Sequence, residues 1–332
     1  MKTLRINFSH EDLTRVRLAD GYDAMWELVL SVQQLSFPGE HVPYFAGWRR
    51  RAVRALTARG LEGSLRRLAQ LVPMGPYFPD FLTPSGQRSG LGDGLETVLG
   101  TPVRRVRTEV SELAATFRRP PTWFNALAHG EAGVLNQVGD AAFGYHDAVL
   151  APYEQPLTTT VRGDLAERSR ALAAGGVDRL LSGLHPSVRW ESPIMSVDYP
   201  VEAELHLNGR GLLLIPSLFG VQVITLADGD LSPVLVYPVS RPPVWDLSQN
   251  HDDHLRALSE LLGPTRTAAL QLVASGVTTT ALASALGVSA SAASRHATAL
   301  RGAGLVRTIR QGQRVLHSRT GLGDALLAGS TG

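Results

Sequence analysis

Residues 278–306 read TTTALASALGVSASAASRHATALRGAGLV. Alanine, serine and threonine crowd the stretch. Two arginines and one histidine interrupt it, and no acid occurs. The spacing predicts two helices joined by a tight turn. Thr278 or Thr279 opens a short helix that stops at Gly287, and Ser289 caps a second that runs to about Gly302. Ala281, Leu282 and Leu286 form the apolar face of the first. Ala293, Ala297 and Leu300 recur at helical spacing and face inward on the second. Gly287 permits the turn, and Val288 plugs the space between the helices. Ala290, Ser291, Ser294, Arg295 and Thr298 are left pointing outward.

The flanks extend the pattern. Asp252 or Asp253 caps a helix ending at Leu262, with Leu255, Leu258, Leu261 and Leu262 on one side. Gly263 ends it, and Pro264 suits the first position of the next helix, which runs to about Ser275 with Ala268, Leu272 and Val273 inward. Downstream, Leu305–Ile309 and Arg314–Arg319 flank Arg310-Gln311-Gly312-Gln313, a hairpin with glycine at its tip. A last short helix covers about 323–328. This order of elements is that of a winged helix-turn-helix.

Such a unit has a defined chemistry. Small side chains on the second helix let it enter a major groove about 12 Å wide. Ser289, Ser291, Ser294 and Thr298 offer hydroxyls to phosphates or base edges, with Thr279 at the start of the preceding helix. Arg295 can give two hydrogen bonds to guanine. Free N–H groups at the helix start favour phosphate. On the hairpin, Arg307, Arg310, Gln313 and Arg314 are expected to meet the DNA backbone or minor groove. The charge pattern agrees: no acid occurs between Leu261 and Gly323, while seven arginines do. A one-sign segment in a chain of net charge only +2 is a footprint for phosphate binding.

The segment ALASALGVSASAASRHATALRGAGLVRTIRQGQRVLHSR (281–319) resembles the DNA-binding domain of the ArsR-type winged-helix repressors. The matching positions are Leu286-Gly287-Val288-Ser289, Ser291, Ser294-Arg295-His296, Leu300-Arg301 and Gly304-Leu305-Val306. The resemblance spans residues 252–328 or so. It implies a homodimer, joined through the helix Asp252–Leu262 and the last helix and helped by an N-terminal sensing and dimerisation domain, that binds a palindromic operator in double-stranded DNA. Metal sensors of this family use cysteines or His/Asp/Glu pairs that do not occur here, so no metal site carries over. His296, part of the signature, is expected to be a hydrogen-bonded packing residue. The N-terminal region is similar in texture to the long extension of some actinobacterial members, and no function is implied by that.

Across residues 1–247 an α+β domain is expected, helical to about 190 and β-rich from 191 to 247, with a small antiparallel sheet. The DNA-binding domain occupies 250–328. Leu4, Ile6 and Phe8 alternate as a strand, and Ser9 to Asp12 offer a helix cap. Helices are expected over 23–36, 45–69, 104–117 and 164–184. From 201 to 239, four β-rich runs separated by turn residues predict antiparallel hairpins. Residues 241–250 look like a linker.

No cysteine is present, which removes disulfides and thiolate sites. The apolar run 211–227 is too short and too polar for a membrane span. No secretory signal is visible at the N-terminus, so a cytoplasmic protein is expected. No nucleophile-elbow, P-loop or zinc-protease motif appears, so neither an enzyme nor a bound cofactor is expected. His251-Asp252-Asp253-His254 is metal-like but sits at a helix start, where Asp is an ordinary cap. Glu202, Glu204 and His206 are explained by an exposed strand edge. The aromatic stretch 73–81, with Trp123, Phe124, Phe143 and Tyr145, is a candidate lining for a small-molecule effector pocket. Alternatively, the N-terminal region is a ligand-binding or enzymatic module and the winged helix serves protein contacts.

Overall fold

Leu4 and Ile6 alternate with polar neighbours, and the first strand, β1 (Lys2–Asn7), buries both. The computed structural model describes residues 2–37, 42–75, 77–84, 90–240, 251–273, 276–311 and 314–328. It divides into two compact units, Met1–Trp245 and Asp246–Gly332. The 241–250 stretch read as a linker lies outside the described residues.

In the first unit Ser9 caps α1 (His10–Thr14). Its hydroxyl accepts from Asp12 N, and the Asp12 carboxylate accepts from Ser9 N, a reciprocal capping box. After β2 (Arg17–Leu18), Asp23 caps α2 (Ala24–Ser36), which is buried along almost its whole length. The region expected as one helical stretch over 45–69 is two helices, α3 (Val42–Ala58) and α4 (Glu62–Leu71). Gly60, at φ 67°, makes the break in a left-handed conformation that suits glycine. Then come α5 (Leu91–Leu99), α6 (Val103–Ala115), α7 (Trp123–Ala128) and α8 (Ala132–Val149). Of these only α6 was expected. Helix α9 (Glu154–Ser182) is interrupted at Gly175–Gly176.

Two small sheets complete this unit among the described residues. Strands β3 (Val188–Glu191), β4 (Ile194–Tyr199) and β5 (Ala203–His206) join β1 in the order β3-β4-β1-β5, and β5 runs parallel to β1. Strands β6 (Leu213–Ser217) and β7 (Val234–Pro238) lie parallel to each other and to β2. The expected run of antiparallel hairpins over 201–239 is therefore corrected. Residues 221–227 form no strand and meet β7 through the bridge Ile224–Val236 and a hydrogen bond from the Thr225 hydroxyl to Val234 O at 2.8 Å. The physical reason was in the sequence: every residue of β6 and β7 is buried, and continuous apolar runs mark parallel strands covered on both faces.

Buried polar groups hold the helices to the strands. The carboxylate of Glu27, on α2, accepts from Leu218 N at 2.6 Å, Phe219 N at 3.0 Å and Ser217 Oγ at 3.0 Å. Asp164, on α9, accepts from the Tyr237 hydroxyl at 2.5 Å and from Arg168 at 3.2 Å. The apolar core between them includes Ile6, Met195, Val197, Leu214 and Leu235.

The second unit begins with α10 (His251–Leu262) and α11 (Pro264–Leu272). Since α10 already includes His251, Asp252 and Asp253 fall in its first turn rather than at a cap. Next come β8 (Val277–Thr278), α12 (Thr279–Leu286) and α13 (Ala290–Gly302). A hairpin of β9 (Val306–Gln311) and β10 (Arg314–Arg319) follows, then α14 (Gly321–Ala328). Strand β8 pairs with β10 in a three-stranded antiparallel sheet. The core gathers Leu258, Ala269, Leu270, Leu282, Ala293, Ala297 and Leu300. Three inward assignments are corrected: Leu261 is 77% exposed, Leu272 is 40% exposed, and Ala281 is exposed while Ala283 is buried in its place.

The chain is thus mixed α and β, mainly helical with small sheets. Among the described residues no helix is long and apolar enough to cross a membrane.

Candidate nucleic-acid interface

The turn between α12 and α13 is built by local hydrogen bonds. Thr278 caps α12, its hydroxyl accepting from Ala281 N at 3.2 Å. Gly287 ends the helix at φ 65° and ψ 31°, where a Cβ is disfavoured. Gly287 N donates to Ser284 O and Val288 N to Ala283 O, which satisfies the last carbonyls of the helix. Ser289 then caps α13, accepting from Ala292 N at 3.2 Å, with its hydroxyl 3.0 Å from that of Ser291. The chain passes from one helix to the next through Gly287, Val288 and Ser289 alone.

Alanines set how closely α13 approaches its neighbours. Ala293, Ala297 and Leu300 are fully buried against Leu270, Leu282 and Leu305 in one core. The opposite face carries Ala290, Ser291, Ser294, Arg295 and Thr298, all exposed. Arg295 is exposed and makes no hydrogen bond or ion pair with any described residue. No acid occurs in α12, α13, β9 or β10. Asp324, on α14, lies 2.7 Å from Arg319 Nε.

No family model, curated protein or solved structure matches this chain. The candidate surface therefore rests on its own geometry.

The hairpin separates the arginines that the sequence grouped together. Arg307 is exposed, and its Nε donates to Ser318 Oγ at 3.0 Å on the facing strand. Arg310 is exposed too, but strand alternation sends residues 307 and 310 to opposite faces. Arg314 opens β10 opposite Gln311. Its side chain, and all of Gln313, lie outside the described residues.

Thr279 differs from the rest of the set. Its hydroxyl lies 2.9 Å from His317 Nε2, while His317 Nδ1 lies 3.0 Å from the Thr308 hydroxyl. His317 is 5% exposed, and burial, helped by the nearby Arg301, lowers its pKa. The neutral imidazole pins the start of α12 to both strands of the hairpin, so Thr279 is half-buried and engaged inward. No motif in the sequence singles out His317 among the ten histidines. Its place on an alternating strand was the available signal. His296 is half-buried and makes no hydrogen bond with any described residue, which corrects the expected hydrogen-bonded packing.

Of the aromatic candidates in the first unit, Tyr77 and Phe78 line a cavity. Trp123, Phe124, Phe143 and Tyr145 do not. Phe124 and Tyr145 are core residues, and Phe143 is exposed.

Proposed function

We propose that this protein is a sequence-specific DNA-binding transcriptional regulator, a repressor, whose second unit is an ArsR-type winged helix-turn-helix. The observation that carries the proposal is the outer face of α13: small, uncharged side chains around the exposed Arg295, on a helix-turn-helix pair and hairpin that carry no acid. In this proposal α13 enters the major groove and Arg295 reads a base. Ser289, Ser291 and Ser294 position the helix on phosphates. Arg310 and Arg314 bring the hairpin against the flanking backbone.

A homodimer supplies two such helices, with half-sites about 10 base pairs apart, centre to centre. Exposed leucines on the two helices that the family resemblance assigns to dimerisation support this. Leu261 lies on α10 and Leu322 on α14, and both are largely exposed. The first unit would sense a small-molecule effector in the cytoplasm.

Selection from random double-stranded DNA with the full chain tests the proposal. Enrichment of a palindromic sequence protected over two adjacent turns is expected. Failure to enrich any sequence, with binding equal across all DNA, would refute it.

A further inference from the structure

Within the first unit, Met74, Gly75, Tyr77, Phe78 and Asp80, the end of β4 with β5, and residues between 222 and 229 line a cavity of about 400 Å³. That lies in the range of roughly 300–1,000 Å³ common for small-molecule sites. Tyr77, Phe78 and Tyr199 contribute aromatic surface. Asp80, Glu112 and Glu204 contribute carboxyl groups, Glu204 already accepting from Asn7 Nδ2 at 2.8 Å, and among the described residues no lysine, arginine or histidine lines the space.

The hydrogen-bonding capacity of the walls is weighted toward acceptors, with the Gln222 amide as a side-chain donor among the lining residues. Tyr77 already donates to Glu109 O at 3.2 Å, and Thr225 to Val234 O at 2.8 Å. Gln33 is only 7% exposed, and its Nε2 donates to Pro73 O at 3.2 Å. No described residue donates to its Oε1. Asp80 is held in place by Ala227 N at 3.1 Å and Asp228 N at 2.8 Å, which leaves lone pairs for further donors. An anion would meet three carboxyl groups and no lining cation. A neutral apolar molecule would leave the Gln33 oxygen without a donor.

We propose that this cavity binds an organic ammonium ion with an aromatic or otherwise apolar body. The ammonium group donates to Asp80, Glu112 and Gln33 Oε1, and the body and cationic centre lie against the aromatic rings. The site belongs to one unit and does not depend on whether the other binds DNA.

Isothermal titration of the full chain with tryptamine, tryptophol and indoleacetate separates charge from shape, since the three share one ring system. Tryptamine should bind at least about tenfold more tightly than tryptophol, a difference of about 1.4 kcal/mol. Indoleacetate should give no binding heat. Glu112 is exposed, so Glu112→Gln should leave the melting temperature unchanged. It should weaken tryptamine several-fold and leave tryptophol unaltered. Asp80→Asn also weakens tryptamine, but Asp80 anchors a turn, so Glu112→Gln is the decisive variant. Equal binding of all three probes, no binding of tryptamine at millimolar concentration, or an unchanged tryptamine affinity in Glu112→Gln would each overturn the proposal.

Discussion

Replacing Glu27 by glutamine should remove a defined part of the pH dependence of stability. Glu27 is 1% exposed, and burial pushes its pKa up. The three donors from Leu218, Phe219 and Ser217 pull it back, and it stands at about 7 against an ordinary 4.5. A carboxyl whose folded pKa lies above its unfolded value takes up a proton on folding between the two. Its contribution to stability therefore increases as pH falls from about 7 to about 4.5 and is level outside that window. The interval corresponds to roughly 3 kcal/mol. Glutamine keeps the size and cannot titrate there.

The assay is urea unfolding followed by tryptophan fluorescence, from about pH 8 to about pH 5. Among the described residues every tryptophan (Trp26, Trp48, Trp123 and Trp190) lies in the first unit, so the signal reports mainly on that unit. Asp23, itself raised by burial to about 6, is present in both proteins and largely cancels in the difference. Wild type should gain up to roughly 3 kcal/mol on Glu27→Gln as the pH falls. A constant difference across the range would refute the reasoning: the three donors would then be holding the carboxylate ionised. Glu27→Leu should be far worse at every pH. It strands three buried donors, each worth roughly 1–3 kcal/mol, a sum near the whole stability of a domain.

Three further outcomes concern the second unit. Arg295→Ala should cost roughly 1–3 kcal/mol of DNA affinity and relax selection at one base pair; an unchanged footprint and affinity would exclude α13 as the reading helix. Arg310→Ala should weaken binding to all sequences alike and reduce the salt slope by about 1; a wild-type slope would exclude the hairpin contact. Gly287→Val should destabilise the second unit by about 1–2 kcal/mol through the left-handed backbone, with Gly287→Asn milder. Equal melting of wild type and Gly287→Val, followed by circular dichroism, would contradict the turn geometry.

The α12–α13 pair was legible because its determinants are local. Each cap lies three residues from its partner amide, and the buried alanines recur at helical spacing. The hairpin register follows from the short connection between β9 and β10. The outward face of α13 then follows directly, since a helix with one buried stripe has one outward stripe. Helices α10 to α12 were less determinate. They carry alanine or leucine at too many positions for spacing alone to decide that Leu258, Leu270 and Ala283 would be buried while Leu261, Leu272 and Ala281 would not.

By itself, then, the sequence determined the order of helices in the second unit, the turn at Gly287, the face of α13 and the acid-free surface around it. Caps, glycine geometry and helical periodicity act over a few residues. Only the tertiary structure decided what depends on distant partners. Thr279 turns inward because His317, 38 residues away, meets it. Strand β5 runs parallel to β1, and Glu27 caps a turn 190 residues further on, because strands and carboxylates pair with whatever the folded chain brings beside them. The cavity is of the same kind: its aromatic stretch was visible in the sequence, but Gln33, Glu112 and Tyr199 meet it only in the fold.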